Sequence, residues 1–242
     1  MLLHAWPLDA RMWRAQLPAL RAEGEVHALD LPGFGNAPAS DEPATMGGWA
    51  VILAADLRAR GIERAAFAGC SMGGYAALSL LRIEPSMVAG IALISSRTPA
   101  DSAAQQAARA EMIARIEREG AQVVVDFAVG LLGPATRASK PDVVAAVRVI
   151  AGDAQPKALI DGYRAIGSRL DSSALLAQAA IPLAIIAGAD DPMLPASDAA
   201  KMAAGVPSAS FTVVPDAGHI SPMETPDAIT DLLRAFWSSL GR

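Results

Sequence analysis

The fold is decided by the stretch Gly69-Cys70-Ser71-Met72-Gly73-Gly74. An apolar run, Ala65–Ala68, precedes it, and a strongly helix-forming segment, Tyr75–Arg82, follows it. This order predicts a strand, a tight turn and a helix, with Ser71 at the tip of the turn. The G-x-S-x-G pattern in this setting is typical of a nucleophilic serine, because small flanking residues allow the cramped backbone of such a turn.

The composition indicates one domain with a large apolar core, since 52% of the 242 residues are hydrophobic. The formal net charge is −5 and the charges are interspersed, so no basic patch is available for nucleic acid or anionic lipid. One cysteine excludes an intramolecular disulfide. No signal peptide is visible, and the longest apolar run, Ala179–Ala189, is shorter than the roughly 20 residues that span a bilayer. We therefore expect a cytoplasmic protein without nucleic-acid or membrane partners.

Strands and helices alternate at both ends of the chain, which predicts a parallel sheet covered on both faces. We call the turn at Gly69–Gly74 the elbow. Besides the strand that leads into it, Ala65–Ala68, we predict strands at Met1–Leu3, Val26–Leu29, Gly90–Ile94, Leu183–Ala187 and Ser210–Val214. The helices predicted around them are Asp9–Leu20, a helix capped by Thr45 and ended by Gly61, the elbow helix, Ala196–Ala204 and Pro226–Leu240.

The alternation stops in the middle of the chain, where residues 97–178 carry only helical patterns. The segments predicted as helices are Ala100–Glu119, Ala121–Leu132, Pro141–Ile150 and Lys157–Ser168. A helical insertion in an α/β sheet predicts a cap over the ligand end. The predicted division is therefore a core of residues 1–96 and 179–242 and a cap of residues 97–178.

A serine nucleophile needs a base, and the chain has only three histidines. His27 lies within a predicted strand, where a partly buried structural role is the simpler interpretation. His4 ends the first strand, and His219 lies in the loop after the last strand. Both are candidates, because open α/β sheets gather their chemistry at the carboxyl ends of the strands.

The base in turn needs an acid to orient it, again after a strand. Asp190 and Asp191 directly follow the strand Leu183–Ala187, and either can serve. The loop after the preceding strand reads Ser95-Ser96-Arg97 and contains no carboxylate.

Five motifs together resemble the α/β-hydrolase superfamily, in particular its small, capped, cofactor-free branch of esterases, lactonases and carbon–carbon hydrolases. They are the G-x-S-x-G-G elbow at Gly69–Gly74, an H-G-x-P-like loop at His4–Pro7, D-x-P-G-x-G at Asp30–Gly35, G-x-x-D-x-x-x-P at Gly188–Pro195 and G-H at Gly218-His219. The resemblance covers nearly all of the predicted core.

The resemblance implies a catalytic triad of Ser71 as nucleophile, His219 as base and Asp191 as acid, in the chain order of that family. It also implies that the backbone N–H groups of Trp6 and Met72 form the oxyanion hole. His4 then matches a histidine that braces the oxyanion loop. We expect no metal and no cofactor.

The substrate pocket is less clearly marked in the sequence. Trp6 and Met193 are candidates because they adjoin the oxyanion loop and the acid loop. Arg97 is a third candidate, since it stands at the entrance to the predicted cap and can meet a carbonyl or carboxylate. Cys70 adjoins the nucleophile, but its side chain points away from Ser71 in a strand-to-turn geometry, so we expect a buried packing role.

These residues predict a serine hydrolase that cleaves a small carboxylic ester or lactone through an acyl-enzyme. The same triad also permits carbon–carbon hydrolysis, perhydrolysis or acyl transfer. A ligand-binding protein that keeps the fold without useful turnover is the alternative from another class.

Two features depart from the family pattern. Ala5 stands where glycine is usual, and its methyl group would be strained by roughly 1 kcal/mol or more if the position required a positive φ. The family's leading pair of strands is also missing, which predicts six strands rather than eight. Either the exposed sheet edge is covered, by the cap or by a partner such as a second copy in a homodimer, or the sequence begins at an internal methionine.

Overall fold

The computed structural model describes residues 1–41 and 43–240, which form one six-stranded sheet with helices around it. All five strand pairs are parallel, and the strand order is β2-β1-β3-β4-β5-β6. The strands are β1 (Leu2–Leu3), β2 (Ala28–Leu29), β3 (Ala65–Cys70), β4 (Val88–Ile94), β5 (Leu183–Gly188) and β6 (Ser210–Val214). The predicted parallel sheet of six strands is confirmed.

Helices follow most strands and fill the long central segment. The first six are α1 (Leu17–Arg21), α2 (Met46–Ala59), α3 (Met72–Ile83), α4 (Ala103–Glu119), α5 (Gln122–Gly130) and α6 (Pro134–Ser139). The others are α7 (Pro141–Asp153), α8 (Pro156–Gly167), α9 (Ser173–Ala177), α10 (Ala196–Ala204), α11 (Ser221–Glu224) and α12 (Pro226–Ser238). Two 3₁₀ turns occupy Ala10–Trp13 and Pro85–Met87. The short helices α6, α9 and α11 lie where no helix was predicted.

Both faces of the sheet are covered, as predicted. Successive residues of a strand point to opposite faces. On one face Phe67 of β3 lies in the same apolar cluster as Trp49 of α2. On the other face Cys70 shares a cluster with Trp13 and with Phe236 of α12. Fully burying a large apolar side chain stabilises the fold by about 1.5–3 kcal/mol, so these two layers hold the sheet.

The first helix differs from the prediction. In place of one helix over Asp9–Leu20, a 3₁₀ turn ends at Trp13 and α1 begins at Leu17. Pro18 accounts for the break, since proline has no N–H to donate and is tolerated only in the first turn of a helix. By contrast, the hydroxyl of Thr45 caps α2 as predicted, accepting from Gly48 N–H at 3.0 Å.

The central segment of residues 97–178, which we call the helical insertion, contains α4 to α9 and no strand. Its buried residues do not form an apolar core of their own. Leu159 of α8 lies in the cluster on the α2 face, and Val147 of α7 lies in the cluster on the α12 face. The insertion is therefore packed onto the sheet through both clusters, and its boundaries as a separate domain stay a prediction.

The two outer strands have no further strand beside them in the described residues. β2 is only two residues long, and a short edge strand offers few unpaired groups to another chain. β6 exposes Phe211 and Val213. A homodimer that covers an edge stays a prediction. No helix in the described ranges has the length and apolar character needed to cross a membrane.

His4 is fully buried at the end of β1 and joins two loops. Its Nε2 atom accepts the Leu31 N–H at 2.9 Å, and its Nδ1 atom lies 3.0 Å from the carbonyl oxygen of Ala5. An amide only donates and a carbonyl only accepts, so a neutral ring with its proton on Nδ1 satisfies both. Burial lowers the pKa of His4, against the Ala5 hydrogen bond and the charges of Asp30 and Asp9, which raise it.

Acidification is therefore expected to destabilise the fold through His4. The lowered pKa means that the unfolded chain binds the proton more readily than the folded one. The contribution of His4 to the free energy of unfolding is thus complete above the pKa of this residue in the unfolded chain, near 6.5. It is lost as the pH falls below that value. Thermal unfolding of the His4→Gln variant between pH 7.5 and 5 should give a flatter dependence of Tm on pH than the wild type.

His27→Gln is the matched control, because His27 lies near the surface beside Glu25 and its loss opens no buried hydrogen bond. Its Tm curve should keep the wild-type slope. An unchanged slope in His4→Gln would contradict the assignment of the pH dependence to the buried ring.

Candidate active site

The turn between β3 and α3 holds Ser71 with φ 49° and ψ −111°, a left-handed conformation that side chains other than glycine rarely adopt. Its N–H donates to Ile94 O at 2.8 Å, and its carbonyl accepts from Gly74 N–H at 2.9 Å. Gly69 and Gly73 make this turn possible. A Cβ on Gly69 would collide with the backbone of Gly73, and one on Gly73 would collide with the carbonyl of Leu3.

His219 lies next to this serine, in the loop between β6 and α11. Its Nε2 atom is 2.9 Å from Ser71 Oγ, and its ring is almost fully buried. The backbone of the loop is anchored to the helical insertion, because His219 N–H donates to Leu131 O at 2.9 Å. His4, the other candidate base, makes its hydrogen bonds to Ala5 and Leu31 instead.

Asp191 lies behind the histidine, with its carboxylate fully buried. Oδ2 is 2.8 Å and Oδ1 3.0 Å from His219 Nδ1. Oδ1 also accepts the N–H groups of Met193 and Leu194, at 2.8 and 2.9 Å. Burial works to raise the pKa of Asp191, but the hydrogen bond and charge of His219 and the two backbone N–H groups hold it below its usual value.

An ionised Asp191 only accepts hydrogen bonds, so the proton of a neutral His219 lies on Nδ1 and Nε2 is free to accept from Ser71. The three side chains that the sequence predicted as a triad therefore form one hydrogen-bonded chain. Asp190, which the residues alone left as an alternative to Asp191, is exposed.

The candidate oxyanion groups also lie at this edge of the sheet. No carbonyl or side chain of the described residues accepts a hydrogen bond from the backbone N–H of Trp6 or Met72. Ala5 does not have a positive φ, so the condition under which its methyl group would be strained is not met. The backbone N–H of Ala5 contacts Met12 Sδ at 3.2 Å. The use of the Trp6 and Met72 N–H groups as an oxyanion hole stays a prediction.

A cavity of about 250 Å³ opens above Ser71 and His219, between the sheet and the helical insertion. The predicted pocket residues Trp6, Arg97 and Met193 all line it. The remaining lining residues are Tyr75, Gln105, Ala108, Arg109, Met112, Phe127, Leu131, Tyr163 and Ile166.

Trp6 is fixed in this wall by contacts on both sides. Its indole N–H donates to Leu159 O at 3.0 Å, and its ring meets Tyr163 edge to face at a centroid distance of 4.0 Å. Arg97 donates from Nη2 to Met193 O at 2.7 Å and thereby joins the start of the insertion to the acid loop. Binding of substrate by these residues stays a prediction.

Cys70 is buried in the apolar cluster on the α12 face of the sheet, where its thiol donates weakly to His219 O at 3.6 Å. Burial, reinforced by the charges of Asp191 and Glu224, raises the pKa of the Cys70 thiol well above its usual value. A thiol held neutral is a poor nucleophile, which agrees with the packing role expected from the sequence. The described residues contain no group of three or more His, Cys, Asp or Glu side chains arranged to hold a metal ion.

Comparison with known proteins matches residues 1–232 to the model of the alpha/beta hydrolase family. The chain belongs to the alpha/beta hydrolase family. A pimeloyl-[acyl-carrier protein] methyl ester esterase of Edwardsiella ictaluri is 26% identical over 98% of this chain and 92% of its own length. This hydrolase is also similar to the malate-bound structure of a thermophilic esterase from Thermogutta terrifontis. That match has 31% identity and a TM-score of 0.95, and it covers 100% of this chain and 89% of the other.

A third relative is the dihydrolipoyllysine-residue acetyltransferase component of the acetoin cleaving system of Pseudomonas putida, which is 31% identical over 98% of this chain. The chain spans only 62% of the length of that protein. The family match and the esterase relatives establish this protein as an esterase-like enzyme of the α/β-hydrolase fold, as the sequence motifs predicted.

The hydrolase has a buried carboxylate that sequence reasoning missed. Glu224, fully buried at the end of α11, accepts Ile220 N–H through Oε1 at 3.1 Å and Gly133 N–H through Oε2 at 2.7 Å. It therefore ties the residue after His219 to the helical insertion. Its only signal in the sequence is an acidic residue five positions after the histidine, which is also what the start of a helix favours.

Ser96 is a second residue that the sequence did not single out. Its hydroxyl donates to the carbonyl of Ser71 at 3.0 Å and so supports the strained turn from the loop after β4. The sequence marked this loop only as lacking a carboxylate.

The geometry predicts that Asp191, not Asp190, supports activity in this hydrolase. Asp191→Asn should lower kcat by roughly 10³- to 10⁴-fold, because the amide cannot hold His219 in the tautomer that accepts from Ser71. Asp190→Asn should change kcat by no more than about twofold, as for an exposed side chain. Steady-state kinetics on an ester substrate checks both. Collapse of activity in Asp190→Asn alone would overturn the assignment.

We also expect Glu224→Gln to impair positioning of His219. The amide offers only one acceptor oxygen to two backbone N–H groups, so the free energy of unfolding should fall by about 1–3 kcal/mol. Because the histidine loop then moves relative to Ser71, kcat should fall by about tenfold or more while KM stays the same.

The matched control is Glu63→Gln, at an exposed position, which should leave the free energy of unfolding and kcat at wild-type values. Loss of stability in Glu224→Gln with an unchanged kcat would mean that Glu224 supports the fold but does not position the base.

Proposed function

We propose that this α/β-hydrolase is a serine esterase that cleaves a small carboxylic ester or lactone through an acyl-enzyme. The observation that carries the proposal is the hydrogen-bonded chain from Ser71 Oγ to His219 Nε2, at 2.9 Å, and from His219 Nδ1 to Asp191 Oδ2, at 2.8 Å. The Ser71 end of this row of hydrogen bonds faces a mainly apolar cavity large enough for a small substrate. The helical insertion acts as the cap of that cavity.

In the first half of the reaction Ser71 Oγ forms a bond to the carbonyl carbon and its proton passes to His219 Nε2. The electron pair of the carbonyl double bond moves onto oxygen, and the backbone N–H groups of Trp6 and Met72 donate to that oxyanion. Asp191 stabilises the imidazolium that forms on His219. Collapse of the tetrahedral intermediate breaks the ester bond, and the departing alkoxide oxygen takes the proton from Nε2.

In the second half water replaces the alcohol. His219 Nε2 removes a proton from the water as its oxygen attacks the acyl carbon, and the same N–H groups bind the second oxyanion. Cleavage of the bond to Ser71 Oγ returns the proton to the serine and releases the carboxylic acid. The sum is ester plus water giving acid plus alcohol, and a lactone gives the hydroxy acid in the same way.

Acyl transfer is the second candidate, because one relative is named as an acetyltransferase component. An alcohol or thiol would then replace water in the second half. Adding methanol during turnover of an acetate ester distinguishes the two. Methyl acetate well beyond the amount set by the concentrations of methanol and water would indicate a transferase. Carbon–carbon hydrolysis and perhydrolysis would use the same residues, and no contact in the described chain favours them. The cytoplasmic location stays a prediction.

A panel of short p-nitrophenyl esters tests the proposal directly. Wild-type turnover is expected, and Ser71→Ala and His219→Ala should each lower kcat/KM by at least about 10³-fold, since the nucleophile and base act as a unit. A fluorophosphonate probe should label the wild type and fail to label Ser71→Ala.

Ser79→Ala and His27→Ala are the controls, because Ser79 lies further along α3 and His27 lies near the surface. Both should keep turnover and labelling. A wild-type protein that neither turns over any ester nor reacts with the probe would refute the serine esterase and leave ligand binding as the function.

A further inference from the structure

Two arginines, Arg97 and Arg109, line the active-site cavity together with His219, and no carboxylate of the described residues lines its wall. Most of the wall is apolar or aromatic. A cation in such a wall is poorly solvated, so an anion that enters the cavity interacts with it more strongly than it would in water.

Arg109, on α4, is only partly neutralised by its own partner. Its Nε and Nη2 atoms donate to Asp101, whose carboxylate is fully buried. The same carboxylate also pairs with Arg169, with Nη1 at 2.6 Å from Oδ1. Burial works to raise the pKa of Asp101, but the two arginines hold it below its usual value, so the group is ionised. Two guanidinium groups therefore share one negative charge and leave a surplus of one positive charge.

This cluster also has more hydrogen-bond donors than acceptors. The Nη2 atom of Arg169 is buried and has no acceptor among the described residues. Its guanidinium instead lies over the ring of Tyr75, 4.4 Å from the centroid, and that ring faces the cavity. Arg109 is 5.2 Å from the ring centroid of Tyr163, another wall residue. The surplus charge is therefore held against the cavity wall by packing.

Arg97 adds a second positive charge from the loop after β4. It donates to the carbonyl of Met193 and makes no ion pair with any residue that the structure describes. A carbonyl satisfies one donor without neutralising the charge. Two positive charges without a full counter-charge therefore border the cavity that also contains Ser71: that of Arg97 and, through Arg109, that of the cluster of Arg109, Arg169 and Asp101.

We infer that the substrate carries a carboxylate remote from the ester bond, which Arg97 and Arg109 bind. The substrate class is a half-ester of a dicarboxylic acid, or an ester of a hydroxy acid whose carboxylate lies on the alcohol side. The two share one recognition chemistry, a carboxylate accepting charge-assisted hydrogen bonds from guanidinium groups. The inference rests on the proposed esterase function and specifies its substrate.

The test compares esters that differ only in charge. The acyl-side arm uses the monoethyl esters of succinate, glutarate and adipate against the same esters with the free acid replaced by a carboxamide. The alcohol-side arm uses 4-acetoxybutanoate against 4-acetoxybutanamide. The wild type should prefer the anion in at least one arm by about tenfold or more in kcat/KM, the size expected for a hydrogen bond to a charged group. The arm that shows the preference identifies the source of the carboxylate.

Arg97→Gln and Arg109→Gln should each bring the ratio of the two kcat/KM values toward one. Using a ratio within each variant cancels any general loss of active protein. Arg97→Gln leaves the Asp101 ion pairs intact, so it tests the inference even if Arg109→Gln does not fold. Arg115→Gln is the matched control on the same helix, because Arg115 is half-buried, is paired with Glu119 and is not among the residues that line the cavity. It should keep the wild-type ratio.

A wild-type enzyme that hydrolyses the anionic and amide esters equally well, or a ratio unaffected by both arginine variants, would overturn the inference. Ser71-dependent hydrolysis of the ester bond in the carboxamide compounds would still support the proposed esterase function. If no ester is turned over, calorimetric binding of glutarate and adipate to the wild type and to Arg97→Gln tests the carboxylate site without catalysis. Absence of binding, or equal affinity in both proteins, would overturn it as well.

Discussion

The left-handed backbone of Ser71 is the constraint on which the rest of the site depends. Holding a residue other than glycine at such a positive φ costs roughly 1–3 kcal/mol of conformational free energy, so the conformation persists only where surrounding contacts enforce it. Here the N–H is held by Ile94 on the neighbouring strand, and the carbonyl is held by Gly74 and by the hydroxyl of Ser96. The glycine at position 73 brings β1 against the turn. The hydroxyl therefore stands at the carboxyl edge of the sheet, where the loops of Asp191 and His219 also begin.

Much of this arrangement follows from short-range sequence signals. Glycines around the turn, an apolar run before it and two acidic residues directly after β5 each act over a few residues, so Ser71 and the strands could be located. The same signals left Asp190 and Asp191 as alternatives, and only the family resemblance selected Asp191. The failures near these signals are also local. Pro18 lies in the first turn of a new helix, where periodicity alone predicted a continuous one. Helix α3 begins at Met72, so the last three residues of the turn motif, Met72 to Gly74, are already helical.

The contacts that the sequence did not reveal join residues far apart in the chain. Glu224 meets Gly133 across 91 positions, and neither residue has a local pattern that indicates the other. Arg109 lies within the predicted helix Ala100–Glu119, where no local pattern marks it, and its ion pair with Asp101, which also binds Arg169, becomes visible only in the structure. Helical periodicity predicted most helices of the insertion. Which of their side chains face the cavity depends on how the helices cross, and tertiary packing decides the crossing.

The helical insertion lines the cavity and also holds the loop that carries His219. Its Leu131 carbonyl holds the backbone of His219, and its Gly133 N–H is bound by the Glu224 carboxylate. Lifting this part of the insertion away from the sheet would expose a buried carboxylate and release the loop that carries the imidazole, and a buried acceptor left unpaired costs about 1–3 kcal/mol or more. An insertion opened at this point would no longer hold His219 against Ser71. In the arrangement that the structure describes, the insertion therefore helps to hold the His219 ring 2.9 Å from Ser71 Oγ.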